Sequence, residues 1–295
     1  MQDNLTVSVI IPAYNAQSFI EKAILSVLAQ SAVASEIIVV NDGSSDATAD
    51  ILSGYLDRII YIEQQNAGVS AARNAGISVA TSDLIAFLDA DDYWHPDKLA
   101  IQLEAMQENP HWVACYTRDC SDDSELNQTE TESGLTFEDK TIEQIFINPY
   151  LTTSTVLVKR ELLLSIGLFD TRLLTAEDID VYYKIASLGM IGFVNRVLVH
   201  KKSVENSLGS QLCSYADNLE VIDRFLTTKP ARKLEAIAPM IKAKVRLNWA
   251  RELIWRGQPK AAIPIIKQAL SEAPSFAARL LLYKARLKLI FVGSS

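Results

Sequence analysis

The chain has 295 residues and a formal net charge of −8, enough length for one large domain or for a core domain with an appendage. The acidic balance argues against whole-surface attraction to nucleic acid, and no nucleic-acid partner is expected. Three cysteines in no metal-ligand spacing suit reduced thiols in the cytosol rather than a disulfide scaffold.

The opening "MQDNLTVSVIIPAYN" lacks a basic region followed by a long apolar stretch, so no signal peptide is expected. No apolar run reaches the ~20 residues that a membrane span needs. In chain order, residues 6–14 form a β-branched strand, and Ser18-Phe19-Ile20-Glu21 reads as a capping box before the periodic positions Phe19, Ala23 and Val27. A second strand covers 36–42, and "GSSDAT" turns into a helix through about Tyr55. A third strand, 58–64, precedes a helix rich in small residues at 68–80, and a fourth strand covers 83–89. A helix at 95–109 carries Pro96 in its first turn, and a fifth strand covers 112–119.

Strands apolar on both sides and joined by helices predict a parallel sheet covered on both faces. Ligands of such sheets bind at the carboxyl ends of the strands. Polar residues stand at those ends: Tyr14-Asn15, Asn41-Asp42, Gln65-Asn66 and Asp89-Asp91-Asp92. Four segments therefore deliver polar groups to one rim. Residues 120–140 are acidic and read as a solvated loop. A strand is predicted at 154–161, a turn and then a helix from about Ala176 within 167–189, and a strand at 191–202. From about Tyr215 the pattern is helical, with one helix–turn–helix unit at 248–275 and no second copy.

Dinucleotide and P-loop signatures are absent, as are a G-x-S-x-G elbow and H-E-x-x-H spacing among the three histidines. The acids carry more. Asp89 and Asp91 are two apart, so on an extended strand they point to one side. One or two carboxylates plus substrate phosphates are the usual cradle of Mg²⁺ or Mn²⁺. A polar strand terminus is the plainer reading of the same triplet.

"PAYN" (12–15), "VVNDGSSDAT" (39–48), "NAGVSAARNAG" (66–76), "FLDADD" (87–92) and "GLFD…AED" (167–178) occur in register. Together they resemble the family 2 glycosyltransferases, inverting enzymes of the GT-A fold. The resemblance covers residues 6 to about 205. It implies an α/β fold, a GT-A type mostly parallel sheet flanked by helices, over residues 1–210. The helical pattern beyond the resemblance adds a C-terminal all-helical appendage, one TPR-like helix pair, at 211–295. The resemblance also implies transfer of a hexosyl-type sugar from a nucleoside-diphosphate donor, UDP-linked by preference, to a hydroxyl of a glycan or lipid-linked acceptor. The setting implied is cell-surface polysaccharide or lipid-linked oligosaccharide assembly, in the cytoplasm or peripherally at the inner face of the plasma membrane.

Residue by residue, the resemblance implies nucleotide-sugar contacts at Pro12, Ala13, Tyr14, Asp42, Arg73, Asp89 and Ala90. Asp42 would accept from the base, Arg73 would contact the nucleotide, and Asp89 the ribose. Asp91 is the implied ligand of a divalent cation, Mn²⁺ or Mg²⁺. Asp92 would bind that cation through water or cap the next turn. Glu177 and Asp178 match an acidic pair whose second member is the general base. Thr175-x-x-Asp178 is itself a helix-capping pattern, but "GLFD" precedes the pair at the family's spacing, which favours the catalytic reading. Where many relatives carry a histidine after the next strand, this chain has "LVHKKSVENS" (198–207), with Lys201 or Lys202 as substitute phosphate contacts.

Tyr93, Trp94, Tyr182, Tyr183 and Cys115 are read as core. The last stretch is apolar with Arg279, Lys284, Arg286 and Lys288. On a helical wheel the arginines fall opposite the lysines, so helix packing is the expectation and membrane-surface contact the alternative. The competing functional readings are a catalytically silent sugar-nucleotide binder acting as an interaction module, and a nucleotidyltransferase. The latter would want a glycine-rich basic loop that "IIPAYNAQS" does not supply.

Overall fold

The computed structural model describes residues 5–126, 135–149, 151–202 and 212–292. The chain divides into two compact units, residues 1–172 with 177–205, and residues 173–176 with 206–295.

In the first unit the order is β1 (Val7–Ala13), α1 (Ile20–Leu28), β2 (Glu36–Asn41), α2 (Thr48–Ser53), β3 (Ile60–Glu63), α3 (Val69–Val79) and β4 (Leu84–Phe87). There follow β5 (Tyr93–Trp94), α4 (Lys98–Glu108), β6 (Trp112–Cys120), α5 (Asp123–Leu126), β7 (Phe137–Lys140) and α6 (Ile142–Ile147). The unit closes with β8 (Leu157–Lys159), α7 (Arg160–Ser165), α8 (Glu177–Ala186) and β9 (Met190–His200). The nine-stranded sheet runs β3-β2-β1-β4-β8-β6-β9-β5, with β7 beside β9. β3, β2, β1 and β4 are parallel. β6 also runs parallel to β9. The antiparallel pairings all involve β8 or β9. The expected α/β sheet with flanking helices is therefore a mixed one, and the parallel block carries the predicted rim.

All seven residues of β1 are buried. That is the signature of a strand covered on both faces. α1 lays Ile20, Ala23, Ile24 and Val27 against this core at helical spacing. The small residues of α3 also have a cause. A Cβ on Gly76 would stand 2.5 Å from Ile10 Cγ2 on β1, so only glycine allows this approach.

Several local expectations are corrected. No capping box starts α1: Phe19 holds the cap position without a side-chain bond, and Glu21 accepts from the Tyr55 hydroxyl at 2.9 Å instead. Asp89 and Asp91 lie beyond the end of β4, in a turn closed by Asp92 N–H donating to the Asp89 carbonyl at 3.0 Å, so they do not share a strand face. The acidic segment is not all loop, since it contains α5 and β7, which pairs with β9; residues 127–134 lie outside the described residues. A capping box does occur at Thr141 and Gln144. The strand expected at 154–161 is only β8, entered through a 3-10 turn at Thr153–Thr155.

The second unit contains α9 (Cys213–Leu226), α10 (Ala238–Trp255), α11 (Pro259–Glu272) and α12 (Phe276–Val292). Ala250, Leu253, Ile254, Ala262, Ile266, Ala278 and Ala285 form its core. Arg246 on α10 pairs with Glu272 at the end of α11 at 3.1 Å, and Lys242 reaches Asp223 on α9 at 2.7 Å.

Candidate active site at the strand ends

The loops after β1, β2, β3 and β4 meet at one edge. Asn15, at φ +48°, receives the Ser45 amide on its side-chain oxygen at 2.8 Å and donates its own amide to Ser44 Oγ at 3.0 Å. These bonds join the first loop to the second. Of the residues before it, Pro12 and Ala13 are buried in or at the end of β1, and Tyr14 is exposed.

Asp42, directly after β2, is 3 % exposed. Its Oδ1 accepts from Gln64 Nε2 at 2.7 Å and from the Ala67 amide at 2.9 Å, and its Oδ2 from the Gly68 amide at 2.8 Å. A carboxylate has roughly four acceptor directions, so one stays open. Asp42 thus holds the loop that enters α3 while keeping capacity for one donor. Gly43 makes this possible: its φ is +73°, and a Cβ there would stand 2.8 Å from the Asn66 backbone nitrogen.

Arg73 on α3 points inward rather than outward. One guanidinium nitrogen meets Asp89 at 2.8 Å and the other meets Glu177 at 2.8 Å. Phe169 covers the guanidinium, with its ring 5.3 Å away. Burial alone would lower the arginine's pKa, but the carboxylates of Asp89 and Glu177 outweigh it and hold the pKa above its ordinary value. Arg73 Nε is buried with no hydrogen-bond partner. The neighbouring Asn74 brackets the Phe169 backbone, donating to its carbonyl at 2.9 Å and accepting its amide at 3.0 Å. Arg73 and Asn74 together clamp the "GLFD" segment and the start of α8 onto α3.

The acidic turn after β4 is organised by a residue that sequence reasoning missed. Ser154 Oγ accepts the Asp89 amide at 3.0 Å and donates to Asp92 Oδ2 at 2.6 Å. Its carbonyl accepts from Trp94 Nε1 at 2.9 Å. The Lys202 amide donates to Asp92 Oδ1 at 3.0 Å. Asp92 is nevertheless pushed up to about 7, first by burial and then by the charge of Asp89. Asp91 is raised for the same two reasons. Ala90 between them is half-buried.

Asp178 sits in the first turn of α8, beside Glu177. Burial first, and the Glu177 charge second, push its carboxyl up to about 7, against the lowering effect of Arg73. The Thr175 capping pattern is not used: the Thr175 amide and hydroxyl donate to Asp217 at 3.1 and 2.6 Å. Ala176 precedes the acidic pair at φ +61°, a conformation that costs a non-glycine residue about 1–2 kcal/mol.

The remaining predicted positions fall as follows. Trp94, Tyr182 and Tyr183 are buried, and the Tyr182 hydroxyl donates to Thr153 Oγ1 at 3.3 Å. Cys115 is core, its thiol pushed up to about 12 by burial. Tyr93 stacks on His200 with centroids 4.4 Å apart. Lys201 and Lys202 are exposed, and Lys202 Nζ lies 3.8 Å from the Phe19 ring centroid.

Among the described residues, no group of three or more His, Cys, Asp or Glu side chains could hold a metal ion by itself. The donor chemistry suits a cation that brings its other ligands with it. Asp91 offers hard carboxylate oxygens beside a charge repulsion that a cation would relieve, and Mg²⁺ and Mn²⁺ commonly take one or two carboxylates plus phosphate oxygens.

Comparison with known proteins gives the family and the fold. The family model for glycosyl transferase family 2 matches residues 8–167. A putative teichuronic acid biosynthesis glycosyltransferase, TuaG, of Bacillus subtilis is 34 % identical over 213 residues, 69 % of this chain and 81 % of that protein. An uncharacterized glycosyltransferase of Rickettsia prowazekii is 31 % identical over 221 residues, 72 % of this chain and 69 % of that protein. Among solved structures, S. aureus TarS 1-349 in complex with UDP-GlcNAc superposes with a TM-score of 0.70 at 20 % identity, covering 96 % of this chain and 88 % of that one. The mannosyltransferase PcManGT from Pyrobaculum calidifontis, in complex with GDP-Man and Mn²⁺, gives 0.64 at 20 % identity, covering 98 % and 81 %. The latter two show the shared fold, and the family model carries the assignment: this chain belongs to the family 2 glycosyltransferases.

Proposed function

We propose that this chain is an inverting, hexosyl-type transferase that moves a sugar from a nucleoside-diphosphate donor to a hydroxyl of a glycan or lipid-linked acceptor. Residues 1–210 form the catalytic domain in this reading, and residues 211–295 a helical region around one TPR-like pair. The observation that carries it is the buried Arg73, whose two 2.8 Å pairs tie the acidic turn after β4 to the acidic start of α8. Asp178, the neighbour of Glu177 in the chain, is thereby linked through Arg73 to the turn that would meet the diphosphate.

Asp178 is the general base. Its carboxylate takes the proton of the acceptor hydroxyl while that oxygen attacks the anomeric carbon. The bond from that carbon to the departing phosphate oxygen breaks, its electron pair leaves with the nucleoside diphosphate, and the centre inverts. A carboxyl near 7 is matched to base work at neutral pH, and such a base typically contributes about 10²–10⁴ in rate. Asp42, Asp89, Ala90 and the Pro12–Tyr14 segment make up the nucleotide cradle. Arg73 orients Asp89 and Glu177. A divalent cation, held by Asp91, would neutralise the diphosphate charge when bound, with Lys201 or Lys202 as further phosphate contacts.

UDP is the favoured nucleotide, since TarS structures hold UDP and UDP-GlcNAc. The similarity to TuaG supports a setting in cell-surface polysaccharide assembly, and the location proposed with it is the cytoplasm or, peripherally, the inner face of the plasma membrane. No helix among the described residues is long and apolar enough to cross a membrane. The test is a thermal-shift panel of nucleoside diphosphates with and without Mn²⁺, since ligand linkage raises the melting temperature with the logarithm of ligand over Kd. A shift for UDP that needs Mn²⁺ is expected; no response to any nucleotide would overturn the reading.

A further inference from the structure

We infer that the outward face of α12 is a docking surface for an anionic lipid bilayer. The helix buries Ala278 and Ala285 completely against the core of its own unit, with Leu281 and Leu282 beside them. The opposite side carries Arg279, Leu280, Tyr283, Lys284 and Arg286, all exposed. Leu280 is 42 % and Tyr283 60 % exposed. At 3.6 residues per turn, Arg279 and Arg286 line one edge of that side and Lys284 the other, roughly 140° and roughly 160° away from them respectively, with Tyr283 and Leu280 between them. The charges that fall opposite one another on a helical wheel are thus the two rims of a single face, not evidence against amphipathicity.

Charge selects the occupant. Residues 276–292 contain four basic side chains and no acid, in a chain of net charge −8. A second copy docked face to face would bring these cations against their equivalents, because a two-fold interface repeats one patch on both partners. An anionic bilayer meets both requirements at once. Leu280 and the tyrosine ring enter the headgroup boundary, while Arg279, Arg286 and Lys284 extend their heads to phosphate. This names the element and lipid charge behind the peripheral contact proposed above, and it rests on that reading only in placing the chain at a membrane.

The experiment uses the full chain and reads binding without any sugar transfer, so its failure is separable from failure of the transferase reading. The protein is sedimented with vesicles of phosphatidylcholine, or of phosphatidylcholine and phosphatidylglycerol at about 7:3, at low and high salt. Binding to the mixed vesicles alone, lost at high salt, is expected. The triple variant Arg279→Gln/Lys284→Gln/Arg286→Gln should bind at least about tenfold more weakly, as should Leu280→Asp/Tyr283→Asp. Circular dichroism and melting temperature should be unchanged for both, because the altered side chains face outward. Equal binding of the variants, no vesicle binding, or dimerisation abolished by the charge variant would overturn the proposal. So would retention on an immobilised acidic polypeptide without vesicle binding, which would point to a protein partner.

Discussion

Arg73 on α3 donates to Glu177 on α8 across 2.8 Å, between residues 104 positions apart in the chain. With the Arg73–Asp89 pair, this contact ties two acidic segments together. Glu177 is 11 % exposed at its side chain and Arg73 is 4 %, so each charge needs the other. Because Asp178 is covalently next to Glu177, anchoring one orients the other.

Replacing Arg73 by Met should destabilise the fold by about 3 kcal/mol, the low end for breaking a buried pair, since Asp89 keeps some solvent screening. Arg73→Lys should recover less than half of that, because one ammonium cannot reproduce a fork to two carboxylates. Urea unfolding of the three proteins checks the order; an unchanged midpoint for Arg73→Met would show that the pair contributes nothing.

Asp178→Asn should lower kcat about 10²–10⁴-fold and leave UDP affinity within a factor of two or so of the parent. With Asp178 as the proposed base and its carboxyl near 7, the parent's rate should rise as pH passes through about 7 and level off above it, since a general base works deprotonated. Initial rates from acid to alkaline pH, beside UDP titrations, decide both points.

Gly43→Ala combines a left-handed backbone with a contact of 2.8 Å onto the Asn66 backbone. The cost should be about 2 kcal/mol, and because Asp42 holds the same loop, nucleotide affinity should fall with stability. Calorimetric UDP titration together with the melting temperature tests the coupling; a loss of stability with full affinity would show the loop to be independent of the nucleotide.

Asp92 and Asp178 are raised from 3.8 to about 7 in the folded protein. Between those values the folded state holds more protons at these two groups than the unfolded one, so their contribution to stability is fully present below about 3.8 and is lost as pH rises through about 7. Without added cation, the melting temperature should fall from pH 5 to 7, less steeply in Asp92→Asn. Lys98, pushed down to about 7 by burial, acts with the opposite slope above that window. Ser154→Ala removes a donor from Asp92. It should lower stability by about 1–3 kcal/mol and weaken Mn²⁺ binding read by electron paramagnetic resonance.

The apolar runs of β1, β2 and β4 and the small residues of α3 were legible because burial on two faces leaves a local, periodic trace. The rim was legible for the same reason: polar residues interrupt those runs where strands end. β7 was hidden inside an acidic stretch, because its pairing with β9 comes from the partner strand and not from its own composition. The capping pattern at Ser18 misled, because Phe19 takes the cap position and Glu21 serves the Tyr55 hydroxyl instead; the alternative cap at Thr175 is not used, because its hydroxyl is drawn to Asp217.

What the amino-acid order determined by itself is the alternation of strand and helix and the cluster of acids after β4. Only the tertiary structure decided who partners whom. Arg73 with Glu177, Ser154 with Asp92 and Asp42 with Gln64 are separated by 104, 62 and 22 residues. No local pattern records such pairs, since buried polar groups take their partners from whatever the fold sets within hydrogen-bond reach.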